Sequence, residues 1–230
     1  MTEPIVSIIV PTYRRPEALR RCLDSIASTV RMPHEVIAVP VADDEPTCAA
    51  LKGRPVKIVV QPTRGGAVQA MNMGFRAARG TYLLQINDDS QLLPHSVANA
   101  IRFLEAPAHR HVGVAAFFHD SPVRRNVHAQ IQVEGTWYFV CQVRGLCYAN
   151  FGLAKRTLYE RLGYFDERYF MYGADPDFSL KVWHEAALRV EPCPGALIHH
   201  EELRDERGAA ERAAQDSDNR KLFAKWKLDE

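Results

Sequence analysis

The chain has 230 residues, 47% of them hydrophobic and 25% charged, which is the balance of a globular domain and excludes disorder, collagen and a coiled coil as the main architecture. Lys and Arg number 29 and Asp and Glu 28, so a net charge of +1 supplies no global field for DNA or RNA, and no nucleic-acid partner is expected. The five cysteines (Cys22, Cys48, Cys141, Cys147, Cys193) are scattered without a CxxC pair, which argues against a disulfide framework or structural zinc and for a reducing compartment. The N-terminus lacks the basic region of a signal peptide, and no run approaches the roughly 20 apolar residues of a membrane helix. No transmembrane segment is therefore expected, and the location expected is cytoplasmic, with any membrane contact peripheral at the inner face.

Val6–Val10 is a continuous β-branched apolar run, the mark of a strand buried on both faces in a parallel sheet. Pro11 ends it, and Pro16 stands at the first turn of a predicted amphipathic helix over 16–29, with Leu19, Cys22, Leu23 and Ile26 on its apolar face. Strands follow at Glu35–Val41 and Val56–Val60, separated by the acidic loop Asp43-Asp44-Glu45. A helix carries Ala67, Ala70, Met71, Gly74 and Ala78, with Gly80 placed to cap it. Tyr82–Ile86 is a fourth strand and runs into Asn87-Asp88-Asp89. Strand and helix thus alternate over the first 90 residues, which predicts an α/β fold with a mostly parallel sheet. Ligands in such sheets bind beyond the carboxyl ends of the strands, where Pro11–Arg15, Asp43–Glu45 and Asn87–Asp89 would converge.

The second half is less regular. Val97, Ile101 and Leu104 suggest a helix, Val112–Phe118 and Trp137–Val143 strands, and Asp120–Asn126 a loop. A helix is expected from Pro176 to Leu188, with Asp175 as its N-cap. Residues 201–230 are densely charged and helix-compatible. No repeat or linker interrupts the chain, so a single domain over 1–230 is expected.

Three clusters carry candidate chemistry. Adjacent carboxylates after a strand, Asp88-Asp89, are hard oxygen ligands suited to Mg²⁺ or Mn²⁺, and also suit a solvated acidic turn. Asp175 and Asp177 fit helix capping, and a carboxylate held at a helix N-terminus can also accept a proton from an attacking hydroxyl. His199-His200 at a strand end fits a metal or phosphate contact or a plain surface pair. Arg64-Gly65-Gly66 before a helix offers a bidentate phosphate contact with close backbone approach, or a turn; it is neither a Walker A loop nor a GxGxxG fingerprint.

Taken in order, these segments resemble those of family 2 glycosyltransferases of the GT-A fold. The matching stretches are Val6–Pro16, Arg64-Gly65-Gly66 with Asn72-Met73-Gly74, Ala78–Leu84, Asn87-Asp88-Asp89-Ser90, Leu162–Glu167, Phe170–Asp177, His199 and Phe223–Trp226. The resemblance implies one Rossmann-like domain: a nucleotide-binding half over 1–90, an acceptor-binding half over 91–200 and a charged helical tail over 201–230. It implies an inverting transfer of sugar from a nucleotide-diphospho-sugar (UDP, dTDP or GDP) to an acceptor hydroxyl, with Mn²⁺ or Mg²⁺ as cofactor. Pro11, Thr12, Tyr13 and Arg14 would line the nucleotide pocket, with Asp43 or Asp44 on the base and Arg64 near the diphosphate. Asn87 and Asp88 would reach the ribose or metal, Asp89 the metal, and His199, or else His200, the metal or diphosphate. Asp175 matches the catalytic base, and Trp137, Tyr172 and Asp177 fall on the acceptor side. Separately, charge and position alone allow the tail residues Arg204, Arg207, Arg212 and Lys221 either to close over the diphosphate or to form a solvated surface helix.

The chain departs from the pattern at Glu45-Pro46, where Gly-Ser is usual, at Asn87 in place of a first Asp, and at Ala174 in place of a Glu. Two alternatives remain beside this reading: a sugar-nucleotide-binding protein without activity, which Ala174 favours, and a sugar nucleotidyltransferase, which the absence of a Gly-rich loop after the first strand disfavours.

Overall fold

The computed structural model describes residues 3–121, 126–203 and 208–228, with the side chains of 208–212 excepted. Strand β1 (Val6–Pro11) is buried at all six positions, as its unbroken apolar run requires. Its side chains alternate between two cores: Val6, Ile8 and Val10 enter one, Ile9 the other. Helix α1 (Pro16–Thr29) has Pro at its start and packs Leu19, Cys22, Leu23 and Ile26 onto the first core. Strand β2 (His34–Val39) pairs parallel with β1, and β3 (Lys57–Ile58) parallel with β2. The expected third strand is thus only two residues long, and both are exposed at the sheet edge. Helix α2 (Glu45–Ala50) fills part of the acidic loop, with Asp44 accepting from the Thr47 N–H at its N-terminus. Helix α3 (Ala67–Ala77) leads to β4 (Tyr82–Gln85), parallel to β1 on its other side.

The remaining elements are β5 (Ser90–Leu92), α4 (Ser96–Glu105), a 3-10 turn (Pro107–His109), β6 (Val112–His119), β7 (Val127–Val133), β8 (Thr136–Val143), β9 (Leu146–Tyr148), β10 (Gly152–Lys155), α5 (Arg156–Leu162), α6 (Ala174–His184), β11 (Arg189–His200) and α7 (Gly208–Trp226). The sheet order is β3-β2-β1-β4-β10-β6-β11-β5, with β7, β8 and β9 branching from β6. Strand β10 enters antiparallel to both neighbours, β4 and β6, whereas β11 runs parallel to β6. The carboxyl ends of β1, β4, β6 and β11 therefore meet the start of β10 along one edge of the sheet. There the chain places Thr12–Arg15, Asn87–Asp89, His119–Ser121, Asn150-Phe151 and His200.

Two expectations need correction. Helix α6 begins at Ala174 with Gly173 (φ 78°) as its cap, so Asp175 lies inside the first turn and does not cap it. Gly80 does not cap α3, which ends at Ala77 with Ala78 extended. Its role is close approach, since a Cβ there would lie 2.5 Å from the Ser7 nitrogen of β1. All five cysteines are free. Among the described residues no helix is long and apolar enough to cross a membrane. Arg204, Arg207 and part of the 120–126 loop lie outside the described residues, as does the Arg212 side chain. Lys221 is bonded to the Arg168 carbonyl (2.6 Å) and Asp218 (2.9 Å) and does not line the cavity described next.

Candidate active site

A cavity of about 390 Å³ opens at this sheet edge. Its walls include Pro11, Thr12, Tyr13, Arg15, Arg64, Asn87, Asp88, Asp89, Tyr172, Asp175 and His200. Carboxylates 86 residues apart in the chain, Asp89 and Asp175, thus face one space.

One wall is built by the loop after β1. Thr12 donates from Oγ1 to Asp88 Oδ2 at 2.9 Å, joining β1 to the turn after β4. Arg14 adopts a left-handed backbone (φ 54°), and its N–H donates to the Asp44 carboxylate. Asp44 is buried and engaged by the Arg14 and Thr47 N–H groups, so it shapes this loop; neither Asp44 nor Asp43 contributes to the cavity lining. Arg14 also stays off the lining, its guanidinium 5.1 Å from the Tyr13 ring centroid. Arg64 lies over the same ring at 4.4 Å and 5.4 Å from the Phe170 ring. The aromatic–guanidinium stack presents a flat face and a positive charge at the cavity rim.

Gly66 carries the approach between these walls. It has φ 92°, and a Cβ would lie 2.2 Å from the Phe170 carbonyl oxygen, which is backbone and cannot swing away. Gly66→Ala is expected to destabilise the fold by at least about 2 kcal/mol through backbone strain and overlap, read as a lower denaturation midpoint. An unchanged midpoint would show that the loop relaxes freely.

The paired carboxylates are buried. Arg15, from a loop the sequence placed at this edge without assigning it a role, sets its Nη1 2.6 Å from Asp89 Oδ2 and 3.5 Å from Asp88 Oδ1. The Leu203 N–H donates to Asp89 Oδ2 at 3.3 Å. Asp89 Oδ1 is buried, and His200 Nε2 stands 3.3 Å from it. Burial pushes the Asp89 carboxyl up, but His200, Arg15 and the Leu203 N–H together hold it below the ordinary carboxylate range. His200 is aimed by Ser121, whose Oγ is 2.7 Å from His200 Nδ1 and 2.8 Å from His119 Nδ1. Burial and the neighbouring His200 push His119 down to about 3, so it stays neutral. His199 points elsewhere. It is half exposed and bonds Asp120 Oδ2 at 2.8 Å, so the structure brings His200, and not His199, to the carboxylates.

The opposite wall belongs to α6. Asp175 Oδ1 accepts from Gln85 Nε2 at 2.8 Å. The Gln85 amide is oriented by Tyr159, whose hydroxyl donates to Gln85 Oε1 at 3.3 Å, and by the Asn150 carbonyl at 2.9 Å. Burial pushes the Asp175 carboxyl up to about 7, and the Gln85 bond offsets only part of that. Gln85 could have been suspected from sequence, as the one polar residue in the run Tyr82–Ile86; the histidine–serine pairing could not. Tyr172 lines the cavity. Trp137 is 41% exposed on β8 and lies off the lining. Asp177 is fully buried away from the cavity, with Oδ1 2.7 Å from Trp226 Nε1 and 2.7 Å from Lys225 Nζ. Its role is to clamp α7 onto α6.

The family profile described as "Glycosyl transferase family 2" matches residues 7–172, which takes in the Asp88-Asp89 wall and ends just before Asp175. The chain belongs to glycosyl transferase family 2. This glycosyltransferase is 24% identical over 208 residues to an uncharacterized glycosyltransferase, YwdF, of Bacillus subtilis, covering 89% of this chain and 77% of that one. It is 29% identical over 226 residues to the O-antigen biosynthesis protein RfbC of Myxococcus xanthus, where 86% of this chain spans only 17% of the relative. Among solved structures it is similar to a mannosyltransferase from Pyrobaculum calidifontis in complex with GDP-Man and Mn²⁺. That likeness has a TM-score of 0.71 and 22% identity, and covers 98% of this chain and 64% of the other. It is also similar to S. aureus TarS in complex with UDP-GlcNAc, with a TM-score of 0.66 and 17% identity, over 89% of this chain and 60% of that one. At these identities the structural likeness shows the GT-A fold.

A divalent cation is tested by the donor set itself. Asp89 Oδ1, buried with an imidazole nitrogen of His200 3.3 Å away, is a hard-oxygen ligand of the kind Mn²⁺ or Mg²⁺ takes. Among the described residues no group of three or more His, Cys, Asp or Glu is arranged to hold a metal alone. The glycosyltransferase residues present therefore fit an ion whose shell is completed by phosphate oxygens and water, the usual habit of Mg²⁺-type sites.

Proposed function

We propose that this glycosyltransferase moves a sugar from a nucleotide-diphospho-sugar to an acceptor hydroxyl with inversion at the anomeric carbon, and that Asp175 is its general base. The observation that carries the reading is the shared cavity: Asp175, held near neutrality by burial, faces the same space as Asp88 and Asp89. A base whose pKa lies near 7 is ionised in useful fraction at neutral pH and still takes a proton readily. Gln85 fixes one carboxylate oxygen by its 2.8 Å bond, leaving the other for the acceptor hydroxyl. As the acceptor oxygen attacks, Asp175 takes its proton; the bond from the anomeric carbon to the diphosphate oxygen breaks on the opposite face.

The leaving diphosphate gathers negative charge. Arg15, at the carboxylate pair, and Arg64, at the rim, are the cations of the lining placed to meet it. Asp89 and His200, with Asp88 alongside, would hold Mn²⁺ or Mg²⁺, which when bound supplies further charge neutralisation to the diphosphate. Tyr13, which lines the cavity with Arg64 over its ring, offers an aromatic surface to the base. Neither Asp43 nor Asp44 lines the cavity, so the base is read by Tyr13, Val41 and Gln61, which do. The similarity to proteins solved with GDP-Man and with UDP-GlcNAc supports a nucleotide sugar as the donor class. Two carboxylate-bearing walls and a base near neutrality disfavour the inactive-binder reading.

The direct experiment is a thermal-shift panel of UDP-, dTDP- and GDP-sugars with and without Mn²⁺. At ligand concentrations 100 times Kd, binding to the native state alone adds about 2.7 kcal/mol and raises Tm visibly. One nucleotide class is expected to shift Tm with Mn²⁺ and much less with a chelator. Equal, null shifts for all would remove the nucleotide-sugar reading.

A further inference from the structure

We propose that Asp218 of helix α7 is a positioning residue: it grips the segment Phe170–Tyr172 and so holds the acceptor wall and Asp175 in register with the donor side. This rests on the reading of Asp175 as the base. Asp218 is fully buried, and its Oδ2 accepts from three consecutive backbone N–H groups, Phe170 (3.0 Å), Met171 (2.9 Å) and Tyr172 (3.0 Å). Oδ1 accepts from Lys221 Nζ at 2.9 Å. Three successive N–H groups converging on one carboxylate oxygen form an anion nest, and removing the carboxylate takes that shared acceptor from all three.

What the nest holds is functional wall on both sides. Met171 and Tyr172 line the cavity, Gly173 caps α6, and Asp175 sits in the first turn of that helix. In the other direction the Phe170 carbonyl accepts from the Val68 N–H at 3.3 Å, lies against Gly66, and its ring lies under Arg64. One carboxylate from the far end of the chain thus fastens the strip that joins the diphosphate-side loop to the base. The Asp177 clamp on Trp226 and Lys225 holds the same α7 to the helix that carries Asp175, a second attachment independent of the first. Asp218 touches no cavity surface, so its effect passes through the strip.

A purely structural carboxylate would lower stability and nothing else. The discriminating comparison is therefore Asp218→Ala, backed by the milder Asp218→Asn, against Leu222→Ala, which removes a buried apolar side chain from the same helix. The readouts are Tm, amide exchange, affinity for the nucleoside diphosphate and Mn²⁺ pair that gives the largest thermal shift, and the rate of nucleoside diphosphate release from the corresponding sugar nucleotide with water as acceptor. Asp218→Ala is expected to lower that kcat about 10- to 100-fold, as small misplacements of a reacting group do. Nucleotide affinity is expected to stay within about twofold, and exchange at 170–172 and the first turn of α6 to quicken at least about tenfold. Leu222→Ala, at a similar loss of Tm, is expected to keep kcat and the local exchange pattern. Should both variants lose kcat in step with Tm, or should exchange at 170–175 stay unchanged in both Asp218 variants, Asp218 is not a positioning residue. Full activity in Asp175→Asn would instead remove the base assignment, and the exchange comparison would still stand or fall by itself.

Discussion

Asp175→Asn is expected to lower kcat by about 10²–10⁴-fold, the usual contribution of a positioned base, while nucleotide affinity with Mn²⁺ stays near that of the parent. The amide keeps the shape and the Gln85 contact but cannot take a proton. In the parent enzyme the carboxyl, pushed by burial to about 7, must be ionised to act, so kcat/KM is expected to rise with pH through about 7 and level off above it. The variant's residual rate is expected to lack that limb. The same shift has a stability signature of definite sign. The folded pKa lies above the ordinary Asp value of about 3.9, so the folded state holds the proton more tightly than the unfolded chain between these pH values. That stabilisation is complete below about pH 4 and is lost as pH rises through about 7. Asp175→Asn is therefore expected to match the parent near pH 4 and to exceed it at pH 8, by about 1–2 kcal/mol after allowing for solvent at the cavity wall. A variant that melts below the parent at pH 8 would show that the carboxyl is not desolvated, and one that transfers at the parent's rate that it is not the base.

Asp89→Ala is expected to abolish the Mn²⁺-dependent part of nucleotide binding, weakening it by at least about 100-fold in calorimetry, or roughly 2.7 kcal/mol. Three groups converge on this one carboxylate: Arg15 at 2.6 Å, the Leu203 N–H at 3.3 Å and His200 at 3.3 Å. Removing it leaves Arg15, with only about a tenth of its side chain exposed, without its shortest carboxylate partner, although Asp88 at 3.5 Å and the Leu203 carbonyl at 2.8 Å remain. A stability loss of about 2–3 kcal/mol is expected alongside, below the range for a fully stranded buried charge because Asp88 takes up part of the pairing. Circular dichroism separates the two effects, since the variant should remain folded while failing to respond to Mn²⁺. Parental affinity in the presence of Mn²⁺ would take Asp89 out of the donor site.

Several residues that the family resemblance quoted as motif turn out to be scaffolding for this site. Asn72 donates to the Phe165 carbonyl at 2.9 Å and to Glu167 at 3.0 Å, and accepts from the Phe165 N–H at 3.0 Å. The Asn72-Met73-Gly74 and Leu162–Glu167 segments are therefore two halves of one staple between α3 and the loop leading to Asp175. Gly74 belongs to the same packing, since a Cβ there would meet Ile9 of β1 at 2.4 Å.

Local sequence was enough for the elements whose chemistry is local. An unbroken β-branched run must lie between two layers, and Val6–Pro11 does; a proline followed by apolar residues three and four apart must start an amphipathic helix, and Pro16–Thr29 does. Polar loops at the ends of such strands pointed to one edge of the sheet and to Thr12, Asp88 and Asp89, which line the cavity, but also to Asp43 and Asp44, which do not; Asp175 came from the family resemblance. Tertiary structure alone decided the rest, because the deciding contacts join residues far apart in the chain, 49 for Asp177 with Trp226 and 90 for Gln85 with Asp175. It inserted β10 antiparallel between β4 and β6, brought Gln85 to Asp175, selected His200 over His199 through Ser121 and Asp120, and turned Asp177 from the acceptor to the α7 clamp. Neighbouring residues on a strand face opposite sides, so His199 and His200 differ by a half-turn that no residue-by-residue reading can resolve until the pairing of β11 with β6 is set.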